Sequence, residues 1–145
     1  MNYFKALIII FFGTLASCHA SKKATDDPNK ILRIVFGTGG GITGAFDEHI
    51  LLPNGNMYFY NSIEGEEKFK GVVPSSMLKR LLDQPTKIKF EKIAYNQPAN
   101  KYYFIEVFTT KSSHRVVWGS NENAPNQVVQ FYNDLSNSLS QLKTH

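Results

Sequence analysis

Cysteine is nearly missing: Cys18 is the only one in 145 residues, so neither an internal disulfide nor a multi-thiolate metal site can form. A small secreted fold held by disulfide staples is thereby excluded. Charge of one sign is scarce too. The formal charge of +4 is spread over Lys22, Lys23, Lys68, Lys70, Lys79, Arg80, Lys87, Lys89 and Lys92, which interleave with Asp and Glu. A nucleic-acid binder concentrates its cations on one face, so no nucleic-acid partner is expected. The apolar stretch at residues 6–12 is too short for a bilayer core of about 30 Å at about 1.5 Å per residue, which argues against a permanent span. Metal and hydrolase signatures are lacking as well. No H-E-x-x-H or G-x-S-x-G occurs, and His19, His49, His114 and His145 form no i, i+4 pair. No cofactor and no metal is implied.

What is present begins at the amino terminus. Lys5, the apolar residues 6–12 and the small residues Gly13, Thr14, Ala16 and Ser17 form a secretory leader pattern. Leu15-Ala16-Ser17-Cys18 resembles the lipobox of bacterial lipoproteins. That resemblance implies a thioether diacylglycerol on Cys18, cleavage before it, and acylation of the new amine with a palmitate-type chain. Two or more chains anchor a protein stably where one does so only marginally. The same resemblance puts the mature chain in the cell envelope, at the outer membrane, because His19 stands where inner-membrane lipoproteins often carry Asp. Residues 1–17 are then a signal peptide, 18–30 a polar tether containing Pro28, and 31–145 one globular domain. With 42% hydrophobic and 19% charged residues, that domain is expected to fold.

Hydrophobic periodicity predicts an α+β domain. Residues 31–36 read as a strand ending at a glycine cluster, and residues 43–52 as a second strand with Phe46, Ile50 and Leu52 opposite Asp47 and His49. Pro53-Asn54-Gly55 supplies turn chemistry for a hairpin with residues 57–61. Residues 63–73 suggest a short edge strand, and Pro74-Ser75 opens a short helix carrying Leu78, Leu81 and Leu82 that Pro85 closes. Residues 88–93 read as a further strand and 96–100 as a loop. Residues 102–109 and 114–118 form a second hairpin. Pro125 then starts a carboxy-terminal amphipathic helix with Val128, Tyr132, Leu135, Leu139 and Leu142 on one face. The sheet is expected to be mostly antiparallel, because strands come first and helices are inserted once and last.

Two segments carry candidate binding residues. Gly39, Gly40 and Gly41 belong to a run from Gly37 to Gly44 that fits G-x-G-x-x-G after a strand. The dinucleotide motif needs a helix next, and here the residues alternate like a strand. A turn or bulge permitting close strand approach is the expectation, with a backbone N–H nest for an anion as the alternative. The second feature is aromatic. Residues 57–60 and 102–108 are apolar on both faces, so either helices cover part of each face or an aromatic surface remains for a partner. Tyr58, Tyr60, Tyr102 and Trp118 would form that surface, with His114 beside it. Glu48 and His49 are neighbours on a strand and so point apart, which prevents concerted acid–base work on one atom.

FGTGGGITG, NQPANKYYF and HRVVWG, read in order, resemble a recurring pattern of small bacterial lipoproteins of unknown function. The likeness implies one intact domain and transfers no catalytic residue. The expected function is a non-enzymatic envelope binding module with a protein or peptide partner. The alternatives are an inhibitor or immunity-type protein blocking an envelope hydrolase or toxin, and a small hydrolase.

Overall fold

The computed structural model describes residues 27–119 and 124–144. The leader, Cys18, His19, the first part of the tether and His145 lie outside the described residues. The described chain is an α+β domain: a seven-stranded sheet with two helices, all but one pairing antiparallel. The strands are β1 (Ile31–Gly40), β2 (Phe46–Leu51), β3 (Asn56–Asn61), β4 (Glu67–Val72), β5 (Asn96–Gln97), β6 (Lys101–Thr109) and β7 (Ser113–Gly119). The helices are α1 (Ser75–Lys87) and α2 (Asn126–Leu139). Across the sheet the order is β4-β3-β2-β1-β6-β7-β5.

Local chemistry explains most boundaries. At the β2–β3 turn Gly55 takes φ +91°, and its N–H donates to Leu52 O at 2.9 Å, the positive φ that glycine adopts without a Cβ clash. β4 is the outer strand, and its exposed Lys68 and Lys70 discourage pairing with another chain. Its far end is occupied: Val72 and Lys143 exchange two backbone hydrogen bonds of 2.9 and 3.0 Å, fastening the carboxy-terminal segment to the sheet.

Four expectations need correction. β1 does not stop at Phe36. It runs through the glycines to Gly40, paired with β2 as far as Gly39 and with β6 as far as Gly40. Residues 88–93 form a 3₁₀ turn (Phe90–Lys92), not a strand, because Lys89 at φ 52° reverses the chain after α1. That reversal drops Phe90 into the core, edge-on to Phe131. Pro85 does not close α1 but sits buried within its last turn, where its missing N–H forfeits a single helical bond. Asn96–Gln97, expected as loop, pair in parallel with Val117 and Trp118.

Alternation along the strands sorts the apolar residues onto two faces. Ile34, Phe36, Leu51, Met57, Ile105, Val107, Val116 and Trp118 face the helices, where Leu81 of α1 and Val128, Phe131 and Leu135 of α2 complete the main core. Val35, Ile50 and Phe104 point the other way and cluster with Leu52, Tyr58, Tyr102, Phe108 and Val117. No helical residue joins that second cluster among the described residues.

Candidate functional site

The helix-free face is built from alternate side chains of β6, β1, β2 and β3, with Phe69 of β4 and Arg115 of β7 joining them. Tyr102, Phe104, Glu106 and Phe108 of β6 lie beside Val35, Gly37 and Gly39 of β1; Phe46, Glu48 and Ile50 of β2 follow, then Tyr58 and Tyr60 of β3. Tyr60 meets Phe46 at 5.9 Å, and Tyr58 meets the half-exposed Phe69 of β4 edge-on at 5.5 Å. Two guanidinium groups lie on the aromatic floor: Arg33 is 4.1 Å from the Phe108 ring centre and Arg115 is 3.9 Å from that of Phe104. Arg115 also pairs with Glu106 at 3.3 Å. The face is therefore aromatic with charge of both signs on it.

Tyr58, Tyr60 and Tyr102 are partly buried on this face. Trp118, expected beside them, is not part of it. It pairs with Tyr103, not Tyr102, so the register turns it to the helices, where it is 5% exposed and packs on Tyr103 and Tyr132. His114 is also on the helix side. Its Nε2 donates to Ile93 O at 3.1 Å, and its ring meets Phe90 edge-on beside a cavity of about 250 Å³. Arg33 and Arg115 escape sequence reasoning, and Glu48, weighed there only as an acid–base neighbour of His49, belongs to this face instead. Alternation within their own strands, Arg33 with Val35 and Arg115 with Val117, is the signal that could have found the arginines.

Glu48 sits in this face with its carboxyl pKa raised above the ordinary value, chiefly by burial; Arg115 and Arg33 oppose that shift, and Glu106 and Glu67 add to it. A raised native pKa means that the protonated form is favoured in the fold. Its contribution to stability is complete below the ordinary carboxylate range and is lost as pH rises through the native value. Glu48→Gln, which mimics the neutral form, should therefore melt higher than the parent at about pH 7.5. The gap should close at about pH 4. Equal gains at both pH values in thermal unfolding would contradict this account.

The histidines and carboxylates do not assemble into one acid–base centre. His49 and His114 lie on the helix side with β1 and β6 between their strands, while Glu48 and Glu106 lie on the other face. His49 is instead held between the Phe36 ring at 5.2 Å and the Phe59 ring at 5.1 Å. Burial first, then Lys70, lowers its pKa, with Asp47 opposing. A hydrolase built on these four residues lacks the cluster it needs.

The glycine segment occupies one end of the sheet. A Cβ on Gly40 would lie 2.0 Å from Asn100 O, the same carbonyl that accepts the Gly41 N–H at 2.6 Å. Gly39 lies under Tyr102, whose ring would meet a Cβ there at 2.5 Å. These glycines thus let β1 approach its neighbours closely, and Gly41 to Gly44 form the turn beyond them, closed by Gly44 N–H to Gly41 O at 3.2 Å. Ile42 at that tip is fully exposed, as is most of Ile63 at the neighbouring β3–β4 turn. Ser62 joins the two turns, its N–H donating to Phe46 O at 2.9 Å and its Oγ accepting the Phe46 N–H at 2.8 Å.

No protein-family model matches the chain, and no curated protein matches it. The lipoprotein resemblance rests on its motifs alone. Among the described residues no helix is long and apolar enough to cross a membrane.

Proposed function

We propose that the mature chain is an envelope lipoprotein, anchored at the outer membrane through lipid on Cys18, that binds a protein or peptide partner on its helix-free sheet face. The observation that carries this reading is the unequal dressing of the sheet. Both helices pack on one side, and the other presents Tyr58, Tyr60, Tyr102 and Phe69, with no helical residue in its cluster among the described residues. Tyrosine suits such a surface because it buries area at low entropic cost and keeps a polar tip. Arg33, Arg115, Glu48 and Glu106 add charges that fix orientation and select against wrong partners. No catalytic residue and no cofactor belongs to this reading.

Tyr60→Ser combined with Phe69→Ser removes two rings from the outer part of the face. Affinity for the envelope partner should fall at least about tenfold, or about 1.4 kcal/mol. Unchanged affinity in a folded double variant would contradict the docking face. A second reading rests on Ile42, whose complete exposure at a tight turn suits an inserting loop of an inhibitor or immunity-type protein. In that case Ile42→Asp, and not the paired aromatic change, would abolish inhibition of an envelope hydrolase or toxin.

A further inference from the structure

A cleft of about 430 Å³ opens at the glycine end of the sheet, lined by Thr38, Asp47, Asn61, Ile63, Lys101 and Tyr103 among others. The volume lies in the range of small-ligand sites. The pairings Tyr103↔Thr38, Thr38↔Asp47 and Asp47↔Asn61 set four of these residues in one row on the helix-bearing face. α2 reaches this row only at Tyr103, which meets Tyr132, and Thr38 beside it is exposed. Lys101, paired with Gly40, stands above Tyr103 on the same face.

The groups in this row are held in place. Asn61 Nδ2 donates to Asp47 Oδ1 at 2.5 Å. The Asn61 Oδ1 accepts the N–H groups of Ile63 and Glu64 at 2.9 and 3.0 Å. Asn61 thus anchors the β3–β4 turn with its carbonyl and fixes the Asp47 carboxylate with its amide, leaving Asp47 Oδ2 as an acceptor. Across the cleft, Trp118 stacks on one face of the Tyr103 ring at 5.8 Å and 25°. Tyr132 of α2 also meets the Tyr103 ring, at 5.4 Å and 71°, and the part of Tyr103 left uncovered lines the cleft beside Thr38. Neighbouring strands are about 4.8 Å apart, so Tyr103 and Asp47, with β1 between them, face each other across about 10 Å.

We propose that this cleft binds a glycan, seating one pyranose ring against Tyr103. The C–H face of a sugar packs on an aromatic ring, and its hydroxyls need acceptors and donors that are already positioned. Asp47 Oδ2, the Thr38 hydroxyl and the Lys101 ammonium supply them. An acyl chain in the same place would strip water from Asp47 without replacing its hydrogen bonds. A phosphorylated ligand would bring its negative charge to the Asp47 carboxylate. One carboxylate and one ammonium make the lining neutral overall, which suits an uncharged ligand. The inference goes beyond the protein-docking face: Asp47, Thr38 and Tyr103 lie on the other side of the sheet, and of the docking face only the Phe46 and Tyr102 side chains reach the rim of this cleft.

The test uses the full-length chain in detergent micelles, titrated by calorimetry with chitotetraose, cellotetraose and maltotetraose. At least one of these is expected to bind, and Asp47→Ala and Thr38→Val should each weaken it about tenfold or more. Thr38→Val changes an exposed residue, so it keeps the proposal falsifiable if Asp47→Ala does not fold. Binding of none of the three sugars overturns the proposal. So does binding that survives both substitutions, or binding that is lost in the Tyr60→Ser and Phe69→Ser double variant, or a cleft that takes a short zwitterionic peptide and no sugar. Failure of sugar binding alone leaves partner capture through Tyr60 and Phe69 on the helix-free face to be read separately.

Discussion

Gly40→Val is expected to cost the domain about 3 kcal/mol or more, lowering its melting temperature by about 10 °C. Two causes combine. Gly40 takes φ +102°, a region that side-chain-bearing residues rarely adopt, and a Cβ there would lie 2.0 Å from Asn100 O. That oxygen belongs to the backbone that leads into β6, so relief requires β1 and β6 to separate at their glycine end. Gly41 separates the two causes. At φ +81° it has open space around the Cβ position, so Gly41→Ala carries only the dihedral cost of about 1 kcal/mol. Denaturant or thermal unfolding of both variants checks the account, and equal losses would contradict the clash at Gly40.

Cys18→Ala should move nearly all of the protein from the membrane fraction to the soluble one. Under the proposed anchoring the argument is energetic: each buried methylene contributes about 0.8 kcal/mol to membrane partitioning, so a chain without the acylated residue loses that anchor. Residues 6–12 are too short to cross a bilayer, and among the described residues no helix is long and apolar enough to do so. Fractionation of the native host, comparing parent and variant, provides the measurement. Undiminished sedimentation of Cys18→Ala with membranes would contradict lipid anchoring at this residue.

Legibility in the sequence followed the range of the interactions involved. The β2–β3 hairpin could be read because Pro53-Asn54-Gly55 encodes its turn locally, and Gly55 indeed takes a positive φ. Both helices were legible from their apolar spacing, although Phe131, fully buried, was left out of the face assigned to α2. A buried helix stripe is wider than the single row beginning at Val128 and Tyr132. β1 was cut short because glycine has low strand propensity. Its last residues are strand through pairing with β2 and β6, which no local pattern reveals. Residues 88–93 misled for the opposite reason: an apolar run cannot itself distinguish a strand from a buried turn.

The candidate site shows the same division. Period-two alternation made it clear that β3 and β6 are apolar on both faces. Which face the helices would cover is decided by long-range packing. Grouping Trp118 with Tyr58, Tyr60 and Tyr102 required knowing the β6–β7 register, and the register pairs it with Tyr103. Asp47, legible in the sequence only as lying opposite Phe46, Ile50 and Leu52, acquires its setting from Asn61, fourteen positions away.

The most direct test of the account places a photoreactive phenylalanine analogue at Tyr60 on the helix-free face and, separately, at exposed Lys79 on α1, in the full-length lipoprotein within its native envelope. After irradiation, a discrete adduct from Tyr60 that is absent from Lys79, and that unlabelled protein competes away, is the predicted result. Adducts of equal yield and identity from both positions, or none from Tyr60, would contradict binding through the helix-free face.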